Sequence, residues 1–488
     1  MSNSFTRLAL AIVAACGLSG VAAAAEPDAA PPAATRGLLI VAPDAFHSAL
    51  GSYVEHKRRQ LPTTLVSLDT ILAETDGVDD PERLKRRLFD FWQREAIGYV
   101  LLVGDADVLP VRYMVLDRIT PAAFNYSFYP SDLYYSDLAR EDGTFDDWNG
   151  RKDDFHAGYF GEVRGEAIKS DPINFDGIDY RPDVAVGRWP VSTPDEAGTI
   201  VAKTIRYEEG VLSGERAGLR TAALFSVGGW VDSRPTLNEV SNRLGGAWTT
   251  EKRFYQDRRS RSDAPLPTQT ELVSLLNGGV SLAVHAGHGH DDQWEQCFPL
   301  AALAEIRNAD RLPVIISAGC STARFATLPP YEPYVDVHGV EHRGTNFGEI
   351  FEAPPPPPAP YQKGRYNPTG LGEQLLRRGP DGAVAYIGCN TGSQPCGLAL
   401  LRGFAATYES LNAPRLGDCW SGAVAFYYDD QKLAELTPDE GWYPPSIFFQ
   451  AMKFMCFGDP SLVLPPRGDR EDGPAGGPTE GPGDRPAD

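Results

Sequence analysis

Short, uninterrupted apolar runs alternate with helix-patterned stretches along this chain, and that alternation restricts the fold more than any other feature. Leu38 to Ala42 and Tyr99 to Val103 offer no polar face to water, and neither do Val280 to Ala286, Pro313 to Ala318 and Gly382 to Gly388. A strand that is apolar on both faces needs cover on both faces, which an isolated hairpin cannot give. Between the runs, Leu84, Leu88, Phe91 and Trp92 recur at helical spacing, and Pro194 to Glu209 and Leu237 to Leu244 read the same way. The expected fold is α/β, with two adjacent subdomains, each a mostly parallel sheet flanked by helices. Their expected bounds are residues 37–212 and 213–465.

Two stretches break this rhythm. Residues 118–181 are rich in aromatic residues, Asp and Gly with weak periodicity, and read as a long surface excursion. Residues 326–367 contain the Pro354 to Pro358 run, a stiff polyproline element, and read as a loop insertion. Residues 26–36 read as a flexible leader. The tail, residues 466–488, has almost no apolar residue with which to order itself.

Residues 1–25 pair one early positive charge with an apolar core of signal-peptide length and a small-residue cleavage site near Ala25. The mature protein is therefore expected in the periplasm, the cell envelope or the medium, with no transmembrane span. Val13-Ala14-Ala15-Cys16 also fits a bacterial lipoprotein box, which would put a lipid anchor on Cys16. The net charge of -21 opposes binding to nucleic acid. Six cysteines follow residue 25, too few for a dense disulfide framework, with Cys389 and Cys396 the expected bridge.

Chemistry concentrates where two of the apolar runs end. Ala286-Gly287-His288-Gly289 and Ala318-Gly319-Cys320 each convert a strand into a glycine-flanked turn. The carboxyl ends of strands in an open α/β sheet are where sites form. An imidazole beside a thiol can supply the thiolate and later protonate a leaving amine. The Gly289 and Cys320 amides are candidate oxyanion donors, each typically worth ~3 kcal/mol of transition-state stabilisation. Taken singly, a Cys after a strand is more often a small core hydrophobe, and a His in a turn often has no chemistry. The paired placement raises both.

The same stretch holds His285, His288, His290, Asp291 and Asp292, a ligand set suited to a zinc hydrolase. Asp132, Asp137 and Asp146 in the acidic excursion are candidate ligands for a structural calcium ion. The thiol chemistry itself requires no cofactor.

The chain resembles the gingipain-like cysteine peptidases, which have a caspase-like α/β fold, from about Gly37 to Leu464. The resemblance rests on ordered segments. These are Tyr99 to Asp105 with Pro110-Val111-Arg112, Ser131 to Tyr135, Pro182 to Arg188, Gly278 to Gly289 with Trp294, Leu312 to Cys320 and Phe457 to Leu462. It implies a peptidase acting on protein or peptide substrates, with His288 as general base and acid and Cys320 as nucleophile. Two positions depart from the family. Val227 stands where a glutamate supports the histidine in the arginine-specific members, and Asp232 is the nearby candidate for that third role. Arg234 stands near the place of the aspartate that selects a basic P1 residue, so no strong preference for Arg or Lys is expected. Val227 also leaves open a catalytically silent member of the fold that serves as a scaffold or in secretion. The first strand begins close to the leader, so activation by removal of a pro-domain is not expected.

Overall fold

Ten strands form one sheet in the computed structural model, which describes residues 36–115, 127–148, 159–161, 173–174, 177–216, 218–257, 261–437 and 443–468. In chain order they are β1 (Gly37–Ala42), β2 (Thr63–Ser67), β3 (Ile97–Val103), β4 (Ala185–Trp189) and β5 (Thr221–Ser226). They continue with β6 (Thr249–Phe254), β7 (Leu282–Ala286), β8 (Val314–Ser317), β9 (Ala385–Cys389) and β10 (Phe454–Phe457). The spatial order is β2-β1-β3-β4-β10-β9-β8-β7-β5-β6. Every neighbouring pair is parallel except β9 with β10.

The strands of residues 37–212 and those of residues 213–465 join in one sheet. The last strand, β10, runs parallel to β4 on one side and antiparallel to β9 on the other, so the halves point in opposite directions. β1, β3 and β9 are buried along their whole length, and helices cover both faces, as the continuous apolar runs require. Helix His47–Arg58 packs on helix Pro194–Ser213 on one side. Helices Leu398–Ser410 and Leu416–Asp430 pack together on the other half.

A buried charge network ties the C-terminal segment to the first half. Lys57 Nζ lies 2.8 Å from Glu208 and 3.0 Å from Asp459, all three side chains being shielded from water. Burial alone would raise the Glu208 carboxyl, but Lys57, His56 and Gln60 outweigh it and hold the carboxyl down at about 2.

The excursion is not a surface feature where it is described. Tyr129, Tyr134, Tyr135, Trp148, Phe160, Ile178 and Tyr180 are buried and belong to the main core. Edge-on contacts of Tyr134 with Tyr135 and Trp148 let an irregular backbone bury large side chains. The insertion 326–367 carries only two-residue strands and 3-10 turns. At the edges of the described residues Arg36 pairs with Asp418 and Arg467 with Glu409, and the rest of the expected leader, residues 26–35, lies outside them. The export signal, Cys16 and residues 469–488 lie outside the described residues. Among the described residues no helix is long and apolar enough to cross a membrane.

Candidate active site

β7 and β8 are adjacent and parallel, with Ser317 opposite His285, so the turns that follow them emerge side by side. The turns touch at glycines. A Cβ added to Gly289 would stand 2.6 Å from the Thr322 methyl group and 3.2 Å from the Cys320 oxygen. A third turn, after β5, closes the group. A Cβ on Gly287, whose φ is +132°, would stand 2.1 Å from the Gly228 oxygen, and His288 N–H donates to that same oxygen at 3.0 Å. Only glycine permits this approach and this backbone conformation. Ser321, directly after the cysteine, adopts φ +56° without being glycine, a strained conformation of the kind that gathers at functional turns.

His288 and Cys320 line one cleft together with Trp230, Val231, Pro395 and Leu398. The Cys320 sulfur accepts the Ser393 N–H at 3.3 Å. As a thiol it donates to the Ser393 carbonyl at 3.5 Å.

His285 has a structural task that the ligand-rich sequence did not reveal. It is fully buried and stacks on Trp294 with ring centroids 4.5 Å apart. Its Nδ1 lies 2.8 Å from Ser317 Oγ, which also receives Thr322 Oγ1–H at 2.9 Å and Gly319 N–H at 3.3 Å. Burial pushes the imidazole down to about 3, so His285 is neutral. The burial of β7 on both faces, which takes His285 into the core, and the partner serine on β8 explain why this histidine is no ligand.

The zinc set is dispersed accordingly. His285 is committed to Ser317, His290 is exposed, and Asp291 pairs with Arg324 at 3.3 Å. Among the described residues no group of three His, Cys, Asp or Glu side chains could hold a metal ion. Two of the three calcium candidates are engaged by cations of the protein itself. Asp132 binds Arg188 through both oxygens, at 2.7 and 2.8 Å. Asp146 meets Arg140 at 3.4 Å, and Asp137 accepts the Trp148 indole N–H at 3.2 Å; burial lowers the Lys85 ammonium to about 8 against the pull of both carboxylates.

Asp232 does not join His288. Its two oxygens hold the Arg234 guanidinium at 2.7 and 2.9 Å, and Arg234 N–H caps the same carboxylate at 3.0 Å. Val227 is buried, with a methyl group against Gly287. None of the six described cysteines forms a disulfide, so the expected Cys389 to Cys396 bridge is absent. Cys389 sits buried in β9, where burial pushes its thiol up to about 12.

The sequence pattern of peptidase family C25 matches residues 32–465, nearly all of the described chain. The chain belongs to this family. Gingipain R2 of Porphyromonas gingivalis is 23% identical over 163 residues, 32% of this chain and 22% of that protein, so the match spans about a fifth of the relative. Lys-gingipain W83 of the same organism is 27% identical over 157 residues, 31% of this chain and 9% of that protein. An uncharacterised protein of Archaeoglobus fulgidus is 21% identical over 308 residues, 55% of this chain and 62% of its own. The crystal structure of the Arg-specific cysteine proteinase gingipain R superposes with a TM-score of 0.57 at 17% identity, covering 89% of this chain and 79% of that one. That likeness establishes the family's α/β fold, and the two strand-end turns of this C25 member carry its candidate dyad.

Proposed function

We propose that this C25 family member is an exported cysteine endopeptidase that cleaves peptide bonds through a Cys320 thioester. The observation that carries the reading is the contact of the His288-Gly289 turn with the Gly319-Cys320 turn, which puts imidazole and thiol on one cleft. The thiolate attacks the scissile carbonyl carbon, and the oxyanion is held by the Gly289 and Cys320 amides. His288 protonates the departing amine, then takes a proton from the water that hydrolyses the thioester. Export rests on the leader at residues 1–25, and the Cys16 lipid remains part of this proposal.

The cleft also speaks to substrate. Trp230, Val231, Pro395 and Leu398 give it apolar walls, and no carboxylate lines it among the described residues. A buried cationic side chain needs a carboxylate partner, so the site favours an apolar P1 residue.

The deciding experiment is limiting-dose labelling with a peptidyl chloromethyl ketone, followed by peptide mapping. Cys320 labels first, and Cys320→Ala and His288→Ala both abolish hydrolysis of a mixed peptide library. Labelling of Cys320 no faster than Cys389 or Cys396 overturns the reading. A second reading, a silent member of the fold, draws on Val227 and on Asp232 being held by Arg234. It predicts that no library peptide is cleaved.

A further inference from the structure

The nucleophile rests against a peptide group whose far end meets a buried ammonium. The Gly392–Ser393 peptide donates its N–H to Cys320 Sγ at 3.3 Å, while its oxygen accepts from Lys453 Nζ at 3.1 Å. Lys453 and Cys320 thus grip opposite ends of one amide dipole. Lys453 is 7% exposed and makes no ion pair with a carboxylate among the described residues. Its other support is the Phe449 ring, 4.3 Å from Nζ to the centroid. The titratable groups near it are the thiols of Cys320, Cys389 and Cys396.

A buried ammonium without a counterion is costly, and burial here lowers its affinity for a proton. Such a group calls for an anion, and the anion within reach through the shared peptide is the Cys320 thiolate. The surroundings are built to keep this arrangement rigid. Lys453 closes a 3-10 turn, and its carbonyl receives Asn390 N–H at 2.8 Å. Three residues earlier, Gln450 accepts Gln394 N–H at 3.2 Å and donates to Ser393 Oγ at 3.3 Å. Two side chains of one short segment therefore hold the loop 392–394 against the sulfur.

We propose that Lys453 is a positioning residue for Cys320: it orients and polarises the Gly392–Ser393 peptide so that its N–H stabilises the thiolate. Because no carboxylate pairs with the His288 side chain among the described residues, this charge takes over part of the task of keeping the nucleophile ionised. The inference rests on the thiol chemistry proposed above, but its readout does not depend on peptide cleavage.

The test is the pH profile of Cys320 alkylation by iodoacetamide, read by mass spectrometry on the full-length protein. The groups facing the sulfur are His288, Lys453, Cys389 and Cys396, and only Lys453 is changed. In Lys453→Met the profile moves to higher pH by about one unit, which slows alkylation about tenfold on its acidic limb. Lys453→Arg restores most of the wild-type profile. Lys453→Gln keeps a donor to Gly392 but no charge, and carries the same comparison if the Met variant does not fold. Superimposed profiles for the uncharged variant and the wild type overturn the proposal. A shifted profile in a protein that cleaves no peptide leaves it standing while refuting the peptidase reading.

Discussion

Gly289 packs so closely on the nucleophile turn that the position of its missing Cβ lies 3.2 Å from the Cys320 oxygen and 2.6 Å from the Thr322 methyl group. Gly289→Ala should therefore displace the cysteine turn before it unfolds the protein. We expect kcat/KM to fall about a hundredfold, since misplacement by ~1 Å costs roughly that much, with a loss of only a few degrees in Tm. Steady-state kinetics alongside differential scanning calorimetry checks both.

Apolar walls predict that peptides with Leu or Phe at P1 are cleaved at least about tenfold better than those with Arg or Lys. Val231→Asp, on the same wall, should shift that ratio toward the basic residues. A library profile in which Arg is already best for the wild type would refute this.

Asp232 is engaged by Arg234, so it contributes little to the imidazole. Asp232→Asn should lower kcat by less than about tenfold, against ~10⁴ for loss of a functioning third triad member. The kcat of the purified variant gives the answer.

His285 gives the fold an acid-sensitive element. Burial holds its imidazole at about 3, below the usual value of 6.5, so the unfolded chain binds a proton that the folded one refuses. A base with a lowered native pKa contributes stability that is full above pH 6.5 and declines as the pH falls toward 3. The slope is about 1.4 kcal/mol per pH unit for one proton. Denaturant unfolding between pH 7 and 4 should show a shallower dependence in His285→Asn than in the wild type, whatever the absolute stabilities.

Lys85 Nζ is 4.7 Å from the centroid of the Tyr134 ring and 4.8 Å from that of Trp148. Lys85→Met should destabilise the protein by only about 1–2 kcal/mol, because what it removes is the cation–π contact with the Tyr134 and Trp148 rings, as a denaturant titration of the variant checks. Calcium chelation should leave Tm unchanged in the wild type.

Much of the framework could be read from sequence because a strand buried on both faces writes an uninterrupted apolar run. β1, β3, β7, β8 and β9 were found that way, each within a few residues of its bounds. β6, Thr-Thr-Glu-Lys-Arg-Phe, was not, since an edge strand half in water carries charges. β10 is four residues long and its partners lie far away in sequence, so no local pattern marks it. The meeting of the His288 and Cys320 turns was legible because glycines announce close backbone approach. The fates of Asp232 and the acidic excursion were not, because which cation a carboxylate meets is decided by tertiary packing. The aromatic density of residues 127–148 was a signal of burial that weak periodicity masked.

β10 lies between the two halves of the sheet, and the segment immediately before it brings Gln450 and Lys453 to the loop behind the sulfur. During vectorial synthesis the nucleophile, the histidine and both glycine turns leave the ribosome well over a hundred residues before that strand does. A nascent or C-terminally clipped chain therefore carries its reactive residues without the clamp that holds their surroundings. On the role proposed for Lys453, reactivity waits for completion: the segment that leads into the strand joining the two halves also arms the thiol.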